Sequence, residues 1–231
     1  LRQAVEAEET AWPDCRAFLL RCHGALCLGE DMEDAFAAAR ALEEVCEARC
    51  RALLGEQAEA PAPQDLGISR RRGDAFQLEL GGERRSFYGN GGALSAPAAL
   101  HGAVYRAGSF QYIAHEAAPE VAAVSARARR LRPYIDDLAQ IAGADIPCVP
   151  AEPRRVEAAI RGRGAVLLRG NGALCAASSE SELEAVRALL RKGCTAWLYA
   201  REVPGCRPLS GADAGLQRLV YRQSYRKRAS C

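Results

Sequence analysis

The sequence predicts an α/β fold. Three observations carry this: short apolar runs bounded by turn residues read as strands, amphipathic patterns between them read as helices, and one strand–turn–strand–helix pattern occurs twice. Phe18-Leu19-Leu20-Arg21-Cys22-His23-Gly24-Ala25-Leu26-Cys27 returns as Val166-Leu167-Leu168-Arg169-Gly170-Asn171-Gly172-Ala173-Leu174-Cys175, at an offset of 148 (171 − 23). Leu-Leu-Arg and Gly-Ala-Leu-Cys are identical in both copies, and Cys46 and Cys194 keep the offset in the helix that follows. Self-similarity of this kind reorganises a fold assignment, so it takes precedence. The copies differ chemically at their centre: His23 in one, Asn171 in the other.

Bulk composition narrows the function classes. With 231 residues and 49% apolar content, the chain has room for one large domain, or one domain and a fragment, around a sizeable core. A net charge of +2 gives no general attraction to nucleic acid or acidic partners. No apolar run approaches the roughly 20 residues that cross a bilayer, and no secretory signal pattern is present. The start, Leu1 followed by Arg2-Gln3-Ala4-Val5-Glu6, has the character of mid-helix, so a piece of a longer chain is expected. None of the ten cysteines forms a Cys-x-x-Cys pair. Reduced cysteines in a cytoplasmic protein are expected, with Cys27, Cys46, Cys175 and Cys194 on apolar faces.

In chain order, residues 1–16 read as a helix end and a loop broken at Trp12-Pro13, and Phe18–Leu28 as strand, turn and strand. Asp31 caps a helix whose apolar residues recur at three- and four-residue steps from Met32 to Leu54, closed by Gly55. Glu56–Gln64, with Pro61 and Pro63, reads as a linker. These boundaries place a closing fragment and linker at 1–60 and a second unit at 61–231. In the second unit the pattern gives strands at Ala75–Leu80, Phe110–His115 and Ile146–Val149. Helices are expected at Ala96–Tyr105, Pro119–Ala128, Tyr134–Ile141 and Arg154–Ile160. The repeated strands follow. Ser179 and Glu182 then form a capping box for a helix through Lys192, stopped at Gly193. Thr195–Glu202 reads as a short helix or strand, and Ala212–Arg228 as a terminal helix with a basic end.

Four stretches together resemble the class II aldolase/adducin family, which includes fuculose-phosphate and ribulose-phosphate enzymes. Leu19-Leu20-Arg21-Cys22-His23-Gly24 is similar to its Leu-x-x-His-Gly strand end. Leu100-His101-Gly102-Ala103-Val104-Tyr105 is similar to its Leu-His-x-x-x-Tyr helix. Tyr112-Ile113-Ala114-His115-Glu116-Ala117-Ala118-Pro119, with Ser125 beyond, is similar to its Val-x-His-x-His-Ser-Pro segment. Gly67-Ile68-Ser69-Arg70 resembles its Gly-Asn-x-Ser-x-Arg without the Asn. The resemblance covers most of residues 65–203, and residues 17–55 look like the closing part of a preceding copy. It implies a three-layer α/β/α sandwich with a mixed, mostly antiparallel central sheet.

The resemblance also implies chemistry: three histidines on a divalent metal, usually zinc, which stabilises an enediolate as a carbon–carbon bond breaks, and a carboxylate that moves the proton. Carried onto the second unit, the first metal position is His115, the second Ala117, the third Asn171, and the acid/base position Pro97. One imidazole does not hold a catalytic zinc, which takes three protein ligands and an open position. The expectation is therefore a degenerate metal site with no cofactor in the second unit, and zinc only in the complete protein. His23 occupies the third-ligand position of the first copy. It reads either as a ligand whose companions lie upstream or on another subunit, or as a histidine whose ring is satisfied by backbone.

Of the other candidates, His101 reads as a packed structural histidine. His115-Glu116 is disfavoured as an acid/base pair, because adjacent strand residues face opposite ways. Gly89, Asn90 and Gly91 form either a backbone cradle for a phosphate or a plain hairpin turn. The basic end, Arg222 and Arg226-Lys227-Arg228, reads as a solvated helix terminus ahead of a contact with an acidic partner or nucleic acid. The expected partners are a second copy of the chain or the missing first unit, and a small phosphorylated sugar; nucleic acid and membrane are not expected.

Overall fold

A computed structural model of the protein describes residues 14–20, 24–55, 62–88 and 95–220. His23, the Gly89–Gly91 turn, residues 1–13, residues 56–61 of the linker and the basic end beyond Val220 lie outside the described residues. The chain divides into two compact units, Leu1–Gly55 and Glu56–Cys231.

In the N-terminal unit, β1 (Ala17–Leu20) and β2 (Gly24–Cys27) pair antiparallel, Ala17 opposite Cys27 and Leu20 opposite Gly24. Helix α1 (Met32–Gly55) follows. Its start is fixed as the sequence indicates: Asp31 Oδ1 accepts the Asp34 N–H at 2.8 Å. Asp34 also accepts from the Arg16 guanidinium and, at 3.0 Å, from the Glu30 N–H. These bonds tie the helix entry to the segment ahead of β1.

The C-terminal unit is built on an eight-stranded sheet. Its strands are β3 (Ile68–Arg72), β4 (Ala75–Leu80), β5 (Glu83–Tyr88), β6 (Tyr112–Glu116), β7 (Arg130–Leu131), β8 (Ile146–Val149), β9 (Ala165–Leu168) and β10 (Ala173–Ala177). Its helices are α2 (Ala96–Ala107), α3 (Pro119–Arg127), α4 (Asp136–Ala142), α5 (Pro153–Ile160), α6 (Glu180–Glu202) and α7 (Gly211–Val220). The strand order is β5-β4-β3-β6-β10-β9-β8-β7. Every pairing is antiparallel except β8 with β9, where α5 makes the crossover that a parallel pair requires.

Alternation along the strands assigns the two faces. Ile113, Val166, Leu168, Leu174 and Ala176 pack with Leu100 and Val104 of α2 and Val156 and Ile160 of α5 in one core. The opposite face is covered by α6, which packs on β6 and β10, and by α3, which packs on β10 and α6. This is the expected three-layer sandwich. The central strands Ala165-Val166-Leu167-Leu168 and Ala173-Leu174-Cys175-Ala176-Ala177 are buried along their whole length. Burial on both faces is why their sequences are continuous apolar runs rather than alternating ones.

Shifting by 148 residues maps β1 onto β9 end to end, Gly24 onto Gly172 beside β10, and the first residue of α1 onto the first of α6. The strand–strand–helix pattern thus repeats at the level of element boundaries.

Three expectations are corrected. Ile68–Arg72 and Glu83–Tyr88 are strands that the alternation rule misses. Ile68-Ser69-Arg70-Arg71-Arg72 is polar throughout except at Ile68, and β5 is an edge strand whose first four side chains are exposed. Finally, Gly193 does not stop its helix: α6 runs unbroken from Glu180 to Glu202.

Gly193 is there for close packing. A Cβ at this position would lie 2.3 Å from Leu138 Cδ2 of α4. Helix propensity alone favours alanine over glycine by about 1 kcal/mol, whereas overpacking typically costs about 1–3 kcal/mol. Gly193→Ala is therefore expected to destabilise the protein, by up to about 2 kcal/mol, read as a lower urea midpoint at unchanged slope. A raised midpoint would mean that Leu138 yields freely.

Candidate functional site

The segment at the end of β6 gathers the functional positions. Strand alternation sends His115 and Glu116 to opposite faces of the sheet, as the sequence suggests. His115, buried, lies on the α2/α5 side. Its Nδ1 accepts the Leu66 N–H at 3.3 Å, with Asp65 Oδ1 3.7 Å away, and its Nε2 contacts the Asn171 carbonyl oxygen at 2.8 Å. An amide N–H only donates, so Nδ1 is the acceptor and Nε2 carries the proton it gives to Asn171. Asp65 is itself engaged, accepting from the Gly67 N–H at 2.9 Å.

Asn171 sits in the β9–β10 turn, which Ser125 holds in place. The Ser125 hydroxyl accepts the Gly172 N–H at 3.0 Å and donates to the Ala122 carbonyl at 2.8 Å, while the Ser125 carbonyl accepts the Gly170 N–H at 3.2 Å. Gly172 is required at this turn. Its φ is +69°, and a Cβ there would lie 2.3 Å from the Glu116 carbonyl oxygen and 3.2 Å from Ala117 Cα. The structure therefore brings positions 115, 117 and 171 together.

These residues do not fit a divalent metal. Ala117 offers no donor atom. The His115 ring has both nitrogens occupied, one accepting from Leu66 and one donating to Asn171, so neither presents a lone pair to an ion. Among the described residues, no group of three or more His, Cys, Asp or Glu side chains is placed to hold a metal. The acid/base position is equally bare. Pro97 is buried in the first turn of α2, where a missing N–H is tolerated.

On the other face, Glu116 is clamped. Its Oε2 accepts from Arg187 Nε at 2.9 Å and Arg191 Nη2 at 2.8 Å, both on α6, and its Oε1 accepts the Ala118 N–H at 3.1 Å. Burial pushes its carboxyl upward, but the Arg191 bond, the Ala118 N–H and the Arg187 bond outweigh it and hold the group below its ordinary value. Such a carboxylate joins β6 to α6 and is not poised to exchange protons near neutrality.

Sequence reasoning missed a second buried network. Ser69 Oγ on β3 lies 2.7 Å from His101 Nδ1 and 2.9 Å from Tyr105 Oη. His101 and Tyr105 are one turn apart on α2, and that i, i+4 spacing facing a strand serine is the signal that could have found the network. Burial lowers the His101 pKa to about 3 and raises that of Tyr105 to about 12. The His101 Nε2 has no hydrogen-bond partner among the described residues. Arg71 closes the network from outside: its guanidinium stacks 4.8 Å from the Tyr105 ring centre and donates to the Tyr105 carbonyl at 2.8 Å and the Phe110 carbonyl at 2.9 Å. Together these contacts fasten α2 to β3, and His101 is the packed structural histidine that the sequence suggests.

Comparison with known proteins gives the same picture at the level of fold and family. Residues 1–50 and 70–197 match the model of the class II aldolase and adducin N-terminal domain. No curated protein matches the sequence. Among solved structures, an L-fuculose 1-phosphate aldolase superposes with a TM-score of 0.57 at 14% identity, over 78% of this chain and 96% of that one. The L-fuculose-1-phosphate aldolase from Thermus thermophilus gives 0.52 at 21% identity, over 69% and 97%. An L-fuculose 1-phosphate aldolase from Glaciozyma antarctica gives 0.51 at 15%, over 84% and 85%. At such identities the superpositions speak for the fold alone, while the family match spans most of the sequence: the chain belongs to the class II aldolase and adducin N-terminal domain family.

Proposed function

We propose that the C-terminal unit is a class II aldolase-like domain that has lost its metal chemistry and is kept for assembly or for completing a neighbouring site. The observation that carries this is the His115 ring. Its Nε2 proton is given to the Asn171 backbone carbonyl, and the two positions beside it, Ala117 and Asn171, carry no imidazole. A backbone carbonyl has replaced an ion as the partner of that ring. In this reading, residues 1–60 are the closing part of a first aldolase-like unit and 61–231 are its degenerate second copy, in an oligomeric cytoplasmic protein.

A second reading concerns the complete protein: a zinc-dependent aldolase or epimerase acting on a small phosphorylated sugar, with its active site in the first unit. It is favoured by the intact Leu19-Leu20-Arg21-Cys22-His23-Gly24 motif, which keeps the histidine that the later copy replaced with Asn171. The two readings are compatible, one for each unit.

Metal analysis tests the first reading. After dialysis, this chain is expected to carry well under one equivalent of zinc or manganese. Stoichiometric metal that disappears in His115→Ala would overturn the assignment of positions 115, 117 and 171.

A further inference from the structure

The sheet of the C-terminal unit ends differently at its two sides. The β7 side closes with two residues, Arg130–Leu131, and a strand that short offers little to another chain. On the other side β5 runs from Glu83 to Tyr88 in unbroken register with β4, from Leu80 opposite Glu83 to Ala75 opposite Tyr88. It carries no proline, lysine or bulge, the usual devices that blunt an edge. Among the described residues, β4 is the only strand beside it. The turn before β5 fixes which of its main-chain groups face out. Gly81 and Gly82 have φ of +59° and +79°, as in a two-residue type I′ turn, which makes the flanking Leu80 and Glu83 a hydrogen-bonded pair. Bonded and non-bonded pairs alternate along an antiparallel ladder. Arg85 and Phe87 therefore also bond to β4, while Arg84, Ser86 and Tyr88 direct their N–H and C=O groups outward.

The side chains of this edge complement themselves. A twofold axis perpendicular to the sheet sets β5 antiparallel to its own copy, with residues of one face opposite residues of the same face. Centred on Ser86, that pairing sets Arg84 against the partner's Tyr88 and Arg85 against the partner's Phe87. Both are cation–π pairings, and Tyr88 is 72% exposed and ready for one. The same register brings Arg84, Ser86 and Tyr88 into bonded pairs, so every outward main-chain group finds a partner. Moving the axis to Arg84 or Arg85 sets two guanidinium groups directly opposite each other, which is destabilising. Moving it to Phe87 leaves only Ser86, Phe87 and Tyr88 paired. Charge does not oppose the approach: Arg84 is paired with Glu79 at 2.6 Å and Arg85 with Glu83 at 2.5 Å, so the hairpin brings no net charge to its edge.

We propose that β5 is a self-association edge: it pairs with the β5 of a second copy of this chain, antiparallel and centred on Ser86, and joins the two eight-stranded sheets into one. The proposal names an interface for the assembly role and does not depend on the metal chemistry assigned to the C-terminal unit.

The test needs only this chain. Sedimentation is expected to show a dimer that dissociates on dilution. In residue-resolved amide exchange, the Arg84, Ser86 and Tyr88 amides should be at least about tenfold slower in concentrated than in dilute protein, while the Arg85 and Phe87 amides, bonded to β4, stay the same. Ser86→Cys reads the register. Bonded residues across an antiparallel ladder stand about 5.5 Å apart at Cα, within disulfide reach, so mild oxidation should link position 86 to itself between two chains, identified by peptide mass. Arg84→Cys should not link to itself, since its own copy lies roughly 13 Å along the strand. Ser86→Pro removes only an outward N–H, which an edge strand tolerates; it should raise the dimer Kd by about tenfold or more and leave the thermal midpoint of the dilute chain in place. A chain that stays monomeric up to millimolar concentration would overturn the proposal. So would a dimer in which the three outward amides exchange as fast as they do on dilution, or one that links through Arg84→Cys and not through Ser86→Cys. Metal content does not enter these readouts, so their failure leaves the reading of the C-terminal unit untouched.

Discussion

Replacing Glu116 with alanine is expected to lower the unfolding free energy by about 3 kcal/mol, the scale for breaking a buried ion pair by removing one partner. The carboxylate is 2% exposed and accepts three bonds, two of them from guanidinium groups. Its loss strips Arg187 of one of its two carboxylate partners, leaving Glu184. It also removes the acceptor of the Ala118 N–H where the chain turns from β6 into α3. Glu116→Gln keeps the shape and one acceptor, so a smaller loss of about 1–2 kcal/mol is expected. The acid limb of stability carries a separate signature. The carboxyl is held below its ordinary 4.5 in the folded protein. Its contribution is therefore fully present above that value and fades as pH falls through the lower, folded one. Urea unfolding across that acid range should show the wild type losing stability more steeply than Glu116→Gln. Parallel curves would mean that the clamp carries no charge-dependent energy.

Much of this fold was legible because burial leaves its mark on sequence. β9 and β10 are apolar on both faces, and α2 and α6 carry their apolar stripes at helical spacing. What escaped was whatever derives its structure from neighbours. β5 is held by main-chain bonds to β4, so its exposed Glu-Arg-Arg-Ser needs no alternation. Gly193 looked like a helix stop because a glycine that ends a helix and one that admits a neighbouring leucine are identical in sequence. At the site, family resemblance pointed to positions 115, 117 and 171, but the bond that defines the present state of His115 is made by a backbone carbonyl, which any residue at 171 would supply. The Glu116 clamp had a readable signal, Arg187 and Arg191 at i, i+4 on one helix face. Its strand partner became visible only once β6 was placed under α6.

Ala117→His combined with Asn171→His is expected to create a zinc site in the C-terminal unit, with affinity rising from negligible to micromolar or better, roughly 8 kcal/mol of binding. The backbone is already arranged for it: the turn that carries Asn171 reaches His115, and Gly172 packs against the residue-117 backbone. Three imidazoles around one ion with an open fourth position form a complete catalytic-type zinc set. The ion must displace the Nε2 proton of His115 from the Asn171 carbonyl, a loss of about 1 kcal/mol that zinc coordination exceeds several-fold. Because imidazole binds only when deprotonated, affinity should rise with pH through the histidine range. Aldolase activity is not expected in the double variant, since Pro97 brings no carboxylate to move a proton. The measurement is zinc titration of the double variant against a chromophoric chelator, with Ala117→His and Asn171→His singly as references. If the folded double variant binds zinc no better than either single variant, the three positions do not converge on one ion, and the proposed reading of positions 115, 117 and 171 as metal positions fails.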